Sequence, residues 1–307
     1  MPGPLLVTVL GPTASGKTAF AARLAHRLGG EIISADSRQV YRKMDLGTGK
    51  DYSEYIIEGQ KVPCHLTDIV DAGYKYSVFE YQRDFAKVWE DIRKRGKQAI
   101  LCGGSGMYIE SVTDAYQLVK VPYNKSLRKE LESKSVPELT RILSSCRKLH
   151  NISDTSSRER LVRAIEIALF TGNKKDIAFS FPAFDNVILG IDIDRDERRK
   201  RITDRLEARL QEGLIEEVEQ LLKDGIAPED LIFYGLEYKY ITLFITGMIS
   251  YDEMKSQLNT AIHQFAKRQM TWFRRMEKRG YNIHWLDAGM SAERKIKKAL
   301  KILEKHI

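Results

Sequence analysis

The chain has 307 residues, of which 43% are hydrophobic, so it can bury one large core or two modest ones. Charged residues make up 30%, and a formal net charge of +8 indicates weakly a polyanionic partner such as nucleic acid, although a merely lysine-rich protein fits it equally well. The three cysteines, Cys64, Cys102 and Cys146, lack metal-ligand spacing and are too few for a disulfide scaffold.

The sequence shows no targeting or membrane-spanning pattern. The apolar run near the start has no basic segment before it, and Gly11 ends it too early for a signal peptide. No apolar stretch approaches the length that a bilayer requires. We therefore expect a cytoplasmic protein with no membrane partner.

The first third of the chain predicts alternating strands and helices. Short apolar runs that end at glycine or polar residues indicate buried strands at 5–10, 31–36, 62–70 and 98–104. Apolar residues at helical spacing predict helices at 18–28 and 77–95. This alternation is typical of a parallel α/β sheet, whose ligands bind beyond the carboxyl ends of the strands. The rule places Gly11–Thr18, Asp36 and Gly103–Ser105 at one common edge.

After about residue 115 the pattern becomes helical and basic. Helices are predicted at 126–149 and 157–170, and a strand pattern returns at 186–194. Helices are then predicted at 195–223, 228–245 and 251–278. A strand predicted at 281–287 is expected to rejoin the sheet, and a basic helix ends the chain. We therefore predict an α/β core from residues 1–114 and 186–307, with a helical insertion domain at 115–185.

The segment GPTASGKT fits the pattern G-x-x-x-x-G-K-[ST] between a predicted strand and a predicted helix. Its glycines let backbone N–H groups point inward, and the following helix N-terminus favours an anion. Lys17 adds a positive charge, and the Thr18 hydroxyl is a candidate Mg²⁺ ligand. The whole loop is therefore a candidate phosphate site: Gly11, Pro12, Thr13, Ala14, Ser15, Gly16, Lys17 and Thr18.

This loop predicts a P-loop NTPase-like parallel sheet flanked by helices, but it leaves kinases, ATPases and pyrophosphate-releasing transferases open. A hydrolytic ATPase usually has an apolar strand that ends in Asp-Glu, and no such stretch occurs here. Asp68 is a possible Mg²⁺ partner without a following glutamate. The insertion at 115–185 is far longer than the lid of a small-molecule kinase, which favours a large acidic second substrate.

Two later helices carry basic faces. The first combines an apolar stripe with Arg198, Arg201, Arg205 and Arg209. The second combines aromatic residues with two basic stripes, formed by Lys267, Arg274 and Lys278 and by Arg268, Arg275 and Arg279. A solvated face supported by intrahelical ion pairs is one interpretation. Two basic faces with interleaved aromatic rings favour RNA whose unstacked bases can stack on them.

Asp36 follows the second predicted strand and shares its edge of the sheet with the phosphate loop. A carboxylate there could hold Mg²⁺, accept a proton as general base, or cap the next helix. We favour the general base because of its position.

Five motifs occur in a characteristic order: GPTASGKT, DSRQVYRKMDLGTGK, HLTDIVD, CGGSGMYI and FAKRQMTWFRR. Their combination closely resembles the tRNA dimethylallyltransferases, the tRNA isopentenyltransferase family, and covers the chain from about Leu6 to Asp287. The zinc-finger tail of eukaryotic relatives is absent, as in bacterial members. The resemblance implies that dimethylallyl diphosphate gives its five-carbon group to N6 of the adenosine 3′-adjacent to the anticodon of tRNA, with release of pyrophosphate.

The resemblance also implies roles for individual residues. Asp36 would accept the N6 proton, while Thr13, Lys17, Arg205 and a Thr18-bound Mg²⁺ would stabilise the leaving diphosphate. The partners would be dimethylallyl diphosphate and a tRNA anticodon stem-loop, bound by a monomer. The positions expected to face tRNA are Asp36, Ser37, Arg38, Gln39, Ser105, Arg128, Glu159, Arg160, Leu161, Val162, Arg163, Lys267, Arg268, Gln269, Trp272 and Arg275.

Two other functions fit part of this pattern. An isopentenyltransferase acting on free adenine nucleotides would need the same loop and base but neither the insertion nor the basic helices. A P-loop RNA-binding protein that uses a nucleotide as a switch would bind ATP or GTP and transfer no prenyl group.

Overall fold

A six-stranded parallel sheet forms the centre of the computed structural model, which describes residues 4–146, 158–172 and 181–306. Its strands lie in the order β5-β2-β6-β1-β7-β8, which confirms the predicted parallel α/β sheet and the return of the last strand. Their bounds are β1 Leu5–Leu10, β2 Glu31–Ser34, β5 Cys64–His65, β6 Ala99–Gly103, β7 Asp185–Asp192 and β8 Ile283–Asp287. A short antiparallel hairpin, β3 Ile56–Ile57 and β4 Gln60–Lys61, lies outside this sheet.

Helices complete the unit that contains the sheet, which comprises Met1–Ala115 and Pro182–Ile307. Their bounds are α1 Lys17–Leu28, α2 Val78–Lys94, α3 Gly106–Thr113, α7 Arg195–Gln211, α8 Leu214–Lys223, α9 Pro228–Phe233, α10 Leu236–Ile245, α11 Tyr251–Lys278 and α12 Ala292–Leu303. Within the described residues, none of these helices is long and apolar enough to cross a membrane.

A second compact unit spans Tyr116–Phe181, and its described residues form three helices, α4 Lys125–Glu132, α5 Val136–Cys146 and α6 Arg158–Gly172. Its apolar core is formed mainly by leucines and isoleucine, Leu131, Leu139, Leu143, Leu161 and Ile165. The predicted helix at 126–149 is two helices here, and its last three residues lie outside the described residues, as does residue 157 of the next prediction.

Three neighbouring strands, β2, β6 and β1, end at nearly the same level of the sheet. Leu10 at the end of β1 pairs with Gly103 of β6 and with Gly190 of β7. Ser34 at the end of β2 pairs with Cys102. The chain segments that leave β1, β2 and β6 therefore start side by side at one edge.

Several predicted element boundaries were wrong, for reasons visible in the backbone. The strand predicted at 62–70 is only two residues long, because Leu66 and Asp68 adopt positive φ angles of 61° and 54°. The helix predicted at 195–223 is interrupted at Gly213, which has φ 103°. The helix predicted at 228–245 is interrupted at Gly235, which has φ 148°. Sequence patterns also missed α3 and the β3-β4 hairpin.

Candidate active site

The phosphate loop connects the buried strand β1 to α1, and its backbone is curled. Ala14 and Gly16 have φ angles of 61° and 80°, in the left-handed region that a tight turn before a helix uses. Gly11 leaves room for Ser15, because a Cβ at Gly11 would lie 2.7 Å from the Ser15 hydroxyl. That hydroxyl is buried and has no hydrogen-bond partner among the described residues. The loop therefore presents inward-facing polar groups that suit an anion.

Gln269 of α11 fixes this loop to the neighbouring strand end. Its side-chain oxygen accepts a hydrogen bond from the Thr13 backbone N–H at 2.8 Å, and its side-chain nitrogen donates to the Gly104 carbonyl at 3.0 Å. Gln269 is only 6% exposed. The expectation that it faces tRNA is therefore not supported, since both ends of its amide are used inside the protein.

Two cations lie at the loop, Lys17 within it and Arg205 of α7 beside it. Arg205 of α7 donates a hydrogen bond to the Thr13 hydroxyl. Burial, followed by the charge of Arg209, lowers the pKa of Arg205 to about 10. Burial also lowers the pKa of Lys17; the nearby Cys102 and Asp36 oppose this shift, and Arg205 adds to it. A bound polyanion would relieve the cost of keeping both groups charged.

Carboxylates that the sequence pattern does not reveal balance part of this charge. Arg209 is buried and donates to Asp51 at 3.2 Å, so it does not belong to an exposed basic face as predicted. Glu54 and Glu237 are electrostatically coupled to Arg205 and Arg209, and burial is the main cause that raises the pKa of each carboxyl. No local motif marks these carboxylates, because only the fold brings them to the arginines.

Asp36 lies in the segment that leaves β2, half-buried and beside the loop. One carboxylate oxygen accepts the Arg38 backbone N–H at 2.9 Å, which is a local turn-capping contact. The Ser34 hydroxyl accepts the Asp36 N–H at 3.3 Å. No hydrogen bond to the other carboxylate oxygen is found within the described residues, so that oxygen is available to a ligand. Asp36 therefore caps a local turn and not the start of a helix, and its other carboxylate oxygen is available as a proton acceptor.

The Asp36 segment is held against the strand β6. The Ser37 backbone N–H donates to the Ser105 hydroxyl at 3.1 Å. Close approach is possible because position 103 is glycine, where a Cβ would lie 2.2 Å from the Ala35 carbonyl oxygen. Thus Gly11–Thr18, Asp36 and Gly103–Ser105 meet at one edge, as the sequence predicted.

Neighbouring residues of this segment have mostly internal partners. Gln39 is 9% exposed; it accepts from the Ser34 hydroxyl at 3.0 Å and donates to the Gly49 carbonyl at 3.0 Å, so its expected exposure to tRNA is not supported. Arg38 lies over the ring of Phe233 at 5.3 Å and donates to that residue's carbonyl. Arg38 is half-buried and Phe233 is exposed, so this pair forms part of the surface beside Asp36.

Thr18, Asp68 and Asp36 are the candidates for holding Mg²⁺ that the sequence offers. Asp68 is engaged elsewhere: it accepts hydrogen bonds from Lys50 and Tyr52, each at 2.5 Å. Within the described residues there is no cluster of three or more His, Cys, Asp or Glu that could hold a metal. Thr18 lies half-buried in the first turn of α1. A hydroxyl beside a diphosphate fits Mg²⁺, which usually takes few protein ligands and completes its shell with phosphate oxygens and water.

The aromatic and basic face of α11 is partly occupied by α3. A Cβ at Gly106 would lie 2.3 Å from Trp272, which shows how closely the indole packs on α3. Arg275 lies 4.1 Å from the Trp272 ring centroid and 3.6 Å from Glu110. Trp272 and Arg275 are therefore not free stacking surface. Lys267 and Arg268 are exposed, and Arg268 lies 5.9 Å from the partly exposed ring of Phe265.

In the helical unit, the residues expected to face tRNA divide into two groups. Leu161 and Val162 are buried in its core, so the expectation that they contact tRNA is not supported. Glu159 and Arg160 are exposed. Arg128 and Arg163 both bind the buried Glu166, at 2.8 Å and 3.0 Å. Burial opposes ionisation of Glu166, but these arginines and the Asn124 N–H outweigh it and lower the pKa to about 2.

The sequence of the chain matches a known family of proteins. The model of the IPP transferase family matches residues 39–276. The chain belongs to this family of tRNA dimethylallyltransferases. It is 56% identical over 298 residues to tRNA dimethylallyltransferase 2 of Phocaeicola vulgatus, covering 97% of each chain, and 54% identical over 302 residues to tRNA dimethylallyltransferase 1 of Parabacteroides distasonis, covering 98% of each. The family predicted from the motifs is thus confirmed.

Two solved structures share the fold of this chain. The tRNA isopentenylpyrophosphate transferase of Bacillus halodurans superposes with a TM-score of 0.72 at 31% identity, covering 98% of this chain and 96% of that one. A eukaryotic dimethylallyltransferase, solved acting on tRNA, superposes with a TM-score of 0.79 at 22% identity and covers 98% of this chain and 80% of its own. The second likeness concerns the fold alone.

Proposed function

We propose that the protein transfers a dimethylallyl group from dimethylallyl diphosphate to N6 of the adenosine 3′-adjacent to the anticodon in tRNA, with release of pyrophosphate. The observation that carries the proposal is the meeting of the phosphate loop and Asp36 at one edge of the sheet, in a chain of the IPP transferase family. Relatives named tRNA dimethylallyltransferase support the choice of both substrates.

The diphosphate of the donor binds the loop 11–18 in this proposal. Inward-turned N–H groups and the N-terminus of α1 contact its oxygens, while Lys17 and Arg205 neutralise charge. Arg205 is already aligned by its hydrogen bond to Thr13. As the bond from carbon to the bridging oxygen breaks, negative charge grows on the diphosphate, and donors that are already in place stabilise it.

Asp36 receives the proton in this reaction. The N6–carbon bond forms as the carbon–oxygen bond breaks, the bonding electrons leave with pyrophosphate, and the proton lost from N6 moves to the free carboxylate oxygen of Asp36. The exocyclic amine is a weak nucleophile because its lone pair is delocalised into the adenine ring. Positioning of the amine and stabilisation of the leaving group therefore supply most of the rate enhancement.

Thr18 would hold Mg²⁺ together with the diphosphate oxygens. Bound there, the ion would supply Lewis-acid stabilisation of the leaving group. The unpartnered Ser15 hydroxyl and the half-buried Thr18 are the residues of this chain that support such a site.

The tRNA partner is the anticodon stem-loop, whose target base has to leave the stack to reach Asp36. Exposed candidates for its recognition are the pair Arg38 and Phe233 beside Asp36 and the exposed cations Lys267 and Arg268 of α11. In the helical unit, Glu159 and Arg160 remain candidates because they are exposed. We further propose that a monomer in the cytoplasm carries out the reaction.

Nucleoside mass analysis tests the proposal after incubation with dimethylallyl diphosphate, Mg²⁺ and unmodified tRNA. The expected product is N6-dimethylallyladenosine in wild-type reactions and none with Lys17→Ala. A parallel reaction with AMP addresses the free-nucleotide alternative, and nucleotide binding without prenyl transfer would support the RNA-binding switch. Prenylation of AMP at a rate equal to that of tRNA would contradict the choice of acceptor.

A further inference from the structure

A second basic cavity lies beyond the carboxyl end of β7, between the N-terminal part of α7 and the middle of α11. Its volume is about 500 Å³, and no residue of the loop 11–18 lines it. Five of its lining residues are cations, Arg195, Arg198, Arg199, Lys267 and Arg274. The carboxylate among the lining residues is Asp192.

Helical spacing explains why the cations converge. On α7, Arg195 is three and four residues before Arg198 and Arg199, so all three project from one side of the helix. On α11, Lys267 and Arg274 are seven residues apart and also share a face. The two faces line the same cavity.

The protein itself neutralises little of the positive charge of these five residues. In the described part of the chain, none of the five forms an ion pair within 4.0 Å, whereas Arg201 on the same helix pairs with Glu197 at 2.7 Å. Burial lowers the pKa of Arg198, and repulsion from Arg195 and Arg274 lowers it further. Such mutual repulsion is relieved when an anion binds.

His263 adds a polar group to the same cavity. Its Nδ1 atom is buried and has no hydrogen-bond partner among the described residues, while Nε2 lies 3.5 Å from the Thr203 hydroxyl. A buried ring nitrogen without a partner is costly unless a ligand or water satisfies it. Thr271 also lines the cavity, although its hydroxyl donates to the Lys267 carbonyl at 3.0 Å.

We propose that this cavity is a second phosphate-binding site, separate from the phosphate loop. It takes two or more neighbouring phosphate groups of one molecule. Guanidinium forks suit phosphate oxygens because they donate paired hydrogen bonds. The phosphates can belong to an RNA backbone or to free pyrophosphate. The RNA source rests on the proposed function, whereas binding of pyrophosphate does not depend on it.

Calorimetric titration with inorganic pyrophosphate tests the site in a Lys17→Ala background, which disables the phosphate loop. We expect the Lys17→Ala protein to retain pyrophosphate binding and its affinity to fall at least ten-fold when Arg198→Ala and Arg199→Ala are added. The matched control adds Lys200→Ala and Arg201→Ala, which remove two charges from the same helix outside the cavity. Thermal melting verifies that each variant is folded.

A second arm measures binding of an anticodon stem-loop RNA at several salt concentrations. Loss of two phosphate contacts in the Arg198→Ala/Arg199→Ala variant should lower the slope of log affinity against log salt by about one to two. An effect on RNA alone supports an RNA-backbone site, and an effect on pyrophosphate alone supports a free-diphosphate site. If neither ligand binds differently from the control, the cavity is a solvated basic surface and the proposal is overturned.

Discussion

Gln269 accepts a hydrogen bond from the backbone N–H of Thr13 at 2.8 Å, across 256 residues of sequence. Through its other end it binds the Gly104 carbonyl, so one buried amide sets the distance between the phosphate loop and the end of β6. α11 thereby contributes to the geometry of the diphosphate site without contacting the diphosphate in the proposed reaction.

Gln269→Ala should lower kcat/KM for dimethylallyl diphosphate at least ten-fold, because the Thr13 N–H and Gly104 carbonyl lose their partner; leaving such groups unsatisfied costs about 1–3 kcal/mol. Steady-state kinetics with tRNA as acceptor measures the effect. Gln257→Ala, at an exposed position of the same helix, is the matched control. Equal kinetics for the two variants would contradict the assigned positioning role.

Arg205→Lys should reduce kcat/KM by one to two orders of magnitude. Lysine keeps the charge but lacks the planar fork that contacts Thr13 and the proposed diphosphate together. The measurement is the initial rate at varied dimethylallyl diphosphate, with Arg201→Lys as the control on the same helix. A lysine variant with wild-type rates would show that charge alone suffices there.

Gly106→Ala should destabilise the protein by about 1–3 kcal/mol, as overpacking of a tight contact usually does, because the added Cβ would lie 2.3 Å from Trp272. Urea unfolding monitored by tryptophan fluorescence measures the change. In Gly172→Ala, the control, the new Cβ meets no atom within 4 Å. If both alanine variants unfold at the same urea concentration, the contact between α3 and Trp272 of α11 has room for a methyl group.

Glu166→Gln should lower the free energy of unfolding by about 3 kcal/mol, because it leaves Arg128 and Arg163 in the helical unit without their buried counter-charge. The pKa of Glu166 is lowered to about 2, so its contribution to stability is complete above about pH 4.5 and is lost as the pH falls toward 2.

Circular dichroism between pH 2 and 5 measures this dependence. The wild type should lose stability toward low pH more steeply than Glu166→Gln, whereas Glu130→Gln, at an exposed position of α4, should follow the wild type. If Glu166→Gln and the wild type lose stability identically as the pH falls, Glu166 is not the cause of the acid sensitivity.

Much of the sheet and of the site edge could be predicted from the sequence because the signals are local. An apolar strand followed by GPTASGKT fixes a loop and a helix start, and level strand ends bring Asp36 and Ser105 beside it. Broken helices were missed because apolar periodicity continues across Gly213 and Gly235, whose positive φ angles only the backbone reveals.

Residues that act through distant partners could not be predicted in this way. Gln269 looks like an exposed polar residue in its local sequence, yet it is buried with hydrogen bonds to segments 256 and 165 residues away. Gln39 is also buried, although its partners Ser34 and Gly49 are only five and ten residues away. Arg209 fits an exposed basic stripe by spacing, but α7 turns it toward Asp51. In each case the tertiary fold selects which face of a segment meets solvent.

Asp36→Asn tests the central claim most directly, because it keeps the size and the Arg38 contact while removing the proton acceptor. The measurement is single-turnover prenyl transfer to a saturating anticodon stem-loop, with RNA and dimethylallyl diphosphate affinities determined in parallel. We expect a transfer rate at least about a hundred-fold lower, with both affinities within about three-fold of wild type. A transfer rate close to wild type would contradict Asp36 as the general base.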